Sequence, residues 1–131
     1  MEWSAEDRGK YLYIELSGQI DSEVIKQRLP ELFSYVKNAE ISKLLVDGRE
    51  LSGLYNITER YALIKNFVET YRDYRISLQI VIVLNKAMLL PDRFGDAIAR
   101  AQGINMMSMD SIEEAYTHLD VEPPDEDNYH N

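Results

Sequence analysis

The chain has 131 residues, 45% of them hydrophobic, and carries a net charge of −9. That length and apolar content fit one domain with an ordinary core, and the acidic balance argues against general binding to nucleic-acid phosphates or anionic membrane surfaces. Cysteine is absent, which excludes a disulfide scaffold, a thiol nucleophile and any Cys-ligated zinc or iron–sulfur centre.

The first residues, Met1 to Asp7, lack the basic start and apolar run of a signal peptide. Trp3 to Asp7, a turn at Arg8-Gly9, and the aromatic and β-branched run Tyr11 to Leu16 read as a hairpin. Asp21 or Ser22 can cap the helix that follows. Its stripe is Ile25, Leu29, Leu32, Phe33 and Val36, and Pro30 within it should kink the helix or open its second half. Lys43 to Asp47 reads as a short strand, and Gly48 to Tyr55 as a loop. Asn56 then caps a long helix with Glu59 at the capping-box position and a stripe of Ile57, Tyr61, Ile64, Val68 and Tyr71.

Ile76 to Leu84 is the clearest strand. It is apolar except for Ser77 and Gln79. That length suits a strand covered on both faces and falls far short of the ~20 residues that cross a bilayer. A loop from Asn85 to Leu90, a helix from Pro91 to Gln102 ended by Gly103, and a strand from Ile104 to Met109 follow. Asp110 with Glu113 forms a capping box for a last helix ending near Leu119. Residues 120–131 hold five acidic residues, no Lys or Arg, and the pair Pro123-Pro124. They read as an acidic, solvated and disordered tail. The expectation is therefore one α/β domain over 1–119, with a mostly parallel five-stranded sheet, an N-terminal hairpin, four helices and right-handed crossovers. A cytoplasmic protein is expected.

The run Lys43 to Asp47 with Arg49, Leu51, Gly53 and the helix start Glu59-Arg60-Tyr61-Ala62 resembles the SpoIIAA-like branch of the STAS proteins. So do Pro30 within the first helix, Gln79 to Val83, and Asp110 to Ala115. The resemblance covers roughly residues 9–119 and implies a SpoIIAA-like βα superhelix. It also implies a non-enzymatic role through protein contacts, with nucleotides or small ligands bound by some members. Sporulation-type members carry a phosphorylated serine within Asp-Ser-Ser-Gly at the start of the second helix. The matching stretch here reads Tyr55-Asn56-Ile57-Thr58, so that phosphoswitch is not carried over. The branch is often compared with the CRAL-TRIO lipid-transfer fold, which keeps a carrier of a small apolar ligand open as an alternative.

The residues themselves offer few sites for chemistry. Neither a P-loop nor a dinucleotide glycine fingerprint is present. Gly48 and Gly53 flank a stretch before a helix start that could hold an anion, but the plainer reading is a turn. Asp47 ends a strand where α/β enzymes place catalytic groups, with Arg49, Glu50, Glu59 and Arg60 near it in sequence. No nucleophile with a base and an orienting group accompanies them, so solvated ion pairs are the plainer reading. His118 and His130 are too few for a metal site. Ser52 and Thr58 are the candidate phosphoacceptors in place of the missing serine. Nine tyrosines could stack bases, but without basic neighbours they read as half-buried rings with wet hydroxyls.

The favoured site is an apolar rim on the loops that follow strand ends, where open parallel sheets bind their ligands. Leu51, Leu54, Tyr55, Asn56 and Thr58 form one part of it, and Met88, Leu89 and Leu90 the other. Exposed together, they would make a partner-docking patch or the mouth of an apolar pocket. Turned inward, they would complete the core. The expected partner is thus an unknown protein or a small apolar ligand. No cofactor is expected, and a homodimer through the first hairpin strand stays open.

Overall fold

The computed structural model describes residues 1–53, 57–89 and 94–124. Five strands, β1 (Glu2–Asp7), β2 (Leu12–Gln19), β3 (Lys43–Ser52), β4 (Gln79–Leu84) and β5 (Asn105–Met109), form one sheet in chain order. β1 runs antiparallel to β2, and every later neighbour is parallel. The helices are α1 (Ser22–Ala39), α2 (Ile57–Tyr74), the single turn α3 (Lys86–Leu89), α4 (Phe94–Ala101) and α5 (Ile112–Leu119).

Strand alternation divides the core. Leu12, Ile14, Leu16, Leu44, Ile80 and Met106 face α1, α2 and α4. Tyr11, Leu45, Val81, Val83 and Met109 face α5. Between α1 and α2 sits Phe33, fully buried. Its ring meets Phe67, Tyr71 and Tyr74 with centroids 5.6–5.8 Å apart, edge-on to the first two, as aromatic pairs favour, and tilted against the third.

Several boundaries differ from the sequence expectation. α1 runs unbroken through Pro30, and Asp21 caps it by accepting from the amides of Glu23 and Val24. The cap of α5 is Ser111, one residue beyond the expected Asp110, and its hydroxyl accepts from the Glu114 amide. The expected loop at 85–90 contains the one-turn α3, which brings the helices among the described residues to five where four were expected. Its turn closes because Asn85 accepts from the Met88 amide at 3.0 Å.

The largest difference is β3, which was expected to end at Asp47 and continues to Ser52. Glu15 pairs with Asp47 but Ser17 with Glu50, so β3 carries one extra residue there. Such a bulge reverses the side-chain alternation beyond it, and Leu51 turns to the helix-covered face. Gly48 lies in this bulge inside the strand, rather than at a turn. A Cβ on it would stand 2.9 Å from the Leu51 side chain and 3.0 Å from that of Leu84. The turn itself is at Gly53, whose φ of +89° suits glycine.

At the C-terminus, the partly buried Val121 packs against the α5-side core, and the Tyr11 hydroxyl donates to the Glu122 carbonyl at 3.0 Å. Residues 125–131, with most of the expected tail, lie outside the described residues.

Candidate functional site

The C-terminal ends of β3, β4 and β5, with the start of α2, make up the edge on which the predicted binding residues fall. Leu54, Tyr55, Asn56 and Leu90 lie outside the described residues. Leu51 and Met88, expected on an exposed rim, are instead buried, at 6% and 3% exposure. The bulge turns the first inward, and α3 folds the second against β4. Leu89 is half-buried, while Ser52 and Thr58 are exposed.

Polar contacts tie this edge together. Asn85 donates to the carbonyls of Arg49 (3.1 Å) and Leu51 (2.9 Å), fixing the extension of β3 to the end of β4. Arg60, from α2, donates to the Met88 carbonyl at 2.6 Å. A few residues away, the buried Asp96 of α4 accepts from the Ser108 amide (2.6 Å) and hydroxyl (2.5 Å) of β5. Asp96 is only 1% exposed.

These groups border a cavity of about 190 Å³ between the sheet and the α1–α2 layer. Leu29 and Phe67 line its helix side, Val46 and Ile80 its sheet side, and Leu51 and Met88 the strand-end edge. Arg60, Asp96 and Ser108 stand among these apolar walls.

The candidate acid–base residue Asp47 lies on the opposite face, beside α5, at 5% exposure. It accepts from Arg49 Nε (2.9 Å) and Nη2 (2.8 Å), from the Arg49 amide, and from the Tyr13 hydroxyl at 2.6 Å. Burial alone would raise its pKa. The Arg49 guanidinium, Tyr13 hydroxyl and Arg49 amide outweigh burial and hold it below the ordinary value. Burial and donation to Asp47 push the Tyr13 phenol up in turn. The Arg8 guanidinium stacks 3.8 Å from the centre of the Tyr13 ring and donates to the hydroxyls of Tyr11 and Tyr116. A carboxylate so fully engaged is a structural tie between β2 and β3. Glu59 and Arg60, near it in sequence, sit on α2 across the sheet.

That network is testable by pH. Asp47→Asn should destabilise the fold by about 1–2 kcal/mol at pH 7. The Arg49 side chain is 45% exposed, and water weakens its share. Because the folded carboxyl titrates below its unfolded value, its stabilisation is complete above the unfolded pKa of about 3.9 and is lost as pH falls through the folded value. Urea melts of wild type and variant should therefore converge in acid; a constant gap across the series would count against this assignment.

No family model and no curated protein sequence matches the chain. Solved structures do. The unphosphorylated anti-sigma factor antagonist SpoIIAA aligns over 91% of this chain and 96% of its own, with a TM-score of 0.52 and 12% identity. An anti-sigma factor antagonist from Mycobacterium paratuberculosis aligns over 91% of this chain and 93% of its own, with a TM-score of 0.59 and 16% identity.

The fold is SpoIIAA-like. At these identities the likeness is one of architecture, and it agrees with the resemblance in the strand and helix pattern. Within the SpoIIAA-like frame, sequence reading missed two features of the strand-end edge. Tyr61, expected in the buried stripe of α2, is 50% exposed. The inward positions are Ile64, Phe67, Val68, Tyr71 and Tyr74, a stripe whose centre is rotated away from Tyr61. The Asp96–Ser108 pair was also missed. Its only local signal is that Asp96 precedes the buried Ala99 by three residues, which puts a carboxylate on the inward face of α4. Among the described residues no three or more His, Asp or Glu side chains come together as a metal site would require.

Proposed function

We propose that this SpoIIAA-like chain is a non-enzymatic, cytoplasmic regulatory module that docks a protein partner on the start of α2 and the adjoining end of β3. The carrying observation is Tyr61. Among the described residues it is one of two exposed large hydrophobics, the other being Tyr35, and it lies beside the exposed Thr58, Glu59 and Ala62 on the first turns of α2. Exposed tyrosines are favoured anchors of protein interfaces. Both structures reported above are of anti-sigma factor antagonists, which supports a protein, and an anti-sigma factor in particular, as the partner class. The proposed contact surface also includes Leu54, Tyr55, Asn56 and the 85–91 stretch, with Leu89 its half-buried member. Ser52 and Thr58 are its candidate phosphoacceptors. A phosphate on Thr58 would sit in the first turn of α2, where the helix dipole favours negative charge. No helix among the described residues is long and apolar enough to cross a membrane.

Self-association through β1 is disfavoured. β1 is an edge strand, and an antiparallel copy paired about its centre would set Glu2 opposite Asp7. Like charges placed so repel.

Affinity purification from the native cells should return a stoichiometric protein partner. Tyr61→Arg should weaken its binding at least tenfold, equivalent to about 1.4 kcal/mol or more, while the melting temperature stays unchanged. Equal recovery by both proteins would overturn the assigned surface.

A further inference from the structure

We infer that the cavity between the sheet and the α1–α2 layer is a binding site for an uncharged, ring-sized apolar molecule carrying one hydrogen-bond donor, such as a phenol or an indole. The site is on the inner side of the helix layer and is independent of the partner-docking reading.

Size sets the first limit. The cavity holds about 190 Å³, somewhat more than the ~150 Å³ apolar cavity that stays dry and accepts benzene. One ring with a small substituent fills such a space, and a two-chain lipid does not fit. The walls set the second limit. Leu29, Leu44, Val46, Phe67 and Ile80 offer only apolar surface, so a water molecule held against these walls would lack the two to four polar partners it needs.

The polar residues give the site direction. Ser108 pairs with Ile82 in the C-terminal half of β4, and Arg60 reaches the Met88 carbonyl just beyond that strand. Both stand with Asp96 at the strand-end edge of the cavity. Among the described residues the two Asp96 oxygens take one bond each, both from Ser108, whereas a carboxylate has about four acceptor positions. Capacity is left for a donor on the ligand. A ligand carboxylate would instead lose its hydration among apolar walls, which is unfavourable.

The test is a methyl-resolved NMR titration of the full chain with phenol, indole, toluene and benzoate. Phenol and indole should saturate with a Kd on the order of 0.1–1 mM, which suits molecules of this few atoms. Shifts should concentrate on the methyls of Leu29, Leu44, Val46, Ile80 and Met88. Toluene should bind several-fold more weakly than phenol, and benzoate at least tenfold more weakly. At ten times Kd, phenol should raise Tm by roughly 3–6 °C. Leu16 and Leu63 also line the cavity, and Leu16→Phe or Leu63→Phe, which place a ring in the space, should abolish the shift in any variant that still melts cooperatively. Asp96→Asn should narrow the phenol–toluene gap. Absence of saturable shifts with every probe would overturn the inference in the wild-type protein alone. So would binding that survives filling of the cavity, or shifts confined to residues outside it. None of these outcomes bears on capture of a protein partner, so the two readings fail separately.

Discussion

Phe33→Ala is expected to destabilise the protein by about 3–5 kcal/mol, the largest single-residue effect in the core. Phe33 is fully buried and joins α1 to α2 through ring contacts with Phe67, Tyr71 and Tyr74. Phe67 and Tyr71 are themselves stacked at 6.0 Å. Truncation removes the ring's transfer energy and leaves a hollow at the point where four aromatic residues meet. Relaxation should be limited, because both helices are held to the sheet by Leu29, Val36, Val68 and Leu78. Phe33→Leu keeps most of the buried area but loses the edge-on geometry, and should cost about 1–2 kcal/mol. Urea denaturation of the three proteins measures both values. A loss below about 1 kcal/mol for the alanine variant would mean that the α1–α2 packing is not as described.

Asp96→Ala is expected to cost about 2–4 kcal/mol, although it removes only a short side chain. Asp96 and Ser108 are both buried, and both Ser108 donors end on the Asp96 carboxylate. β5 is the sheet's second edge, and Asp96 meets its backbone there with a side chain in place of another strand. Removing the carboxylate strands an amide and a hydroxyl away from water. Asp96→Asn retains one acceptor and should cost less than half as much. A double-mutant cycle with Ser108→Ala separates the pair from its surroundings, and a coupling of at least about 1 kcal/mol is expected. Additive single effects would show that Asp96 acts through some other contact. The same carboxylate pins α4 against β5 beside the cavity, so its loss should loosen that wall as well as lower stability.

Elements whose pattern is local were legible in the amino-acid order. The apolar alternation of β2, the nearly continuous run of β4 and the i, i+3, i+4 stripe of α1 each carry their own signal, and each forms the expected element, with β2 running on to Gln19 and β4 starting only at Gln79. Together they imply the parallel α/β arrangement with its N-terminal hairpin. β3 shows where such reading stops. Its pattern breaks at Gly48 because one added residue reverses the alternation, and only pairing with β2 keeps the strand going to Ser52. Leu51 was therefore read as a loop residue, though the folded chain buries it.

The candidate site depends on contacts between distant parts of the chain. Arg60 meets the Met88 carbonyl across 28 residues of sequence, and Asp96 meets Ser108 across 12. A cavity is a property of the gap between a helix layer and a sheet, and no periodicity encodes its volume. Tyr61 illustrates the same limit on one helix. Its spacing from Ile64 allowed an inward position, and the rotation of α2 set by Phe67 and Tyr71 against Phe33 turned it to solvent. The amino-acid sequence by itself determined most of the elements, their order and the absence of cysteine. Tertiary structure alone decided which apolar residues of the strand-end edge point inward, because burial there follows from strand register and helix rotation, which long-range packing sets.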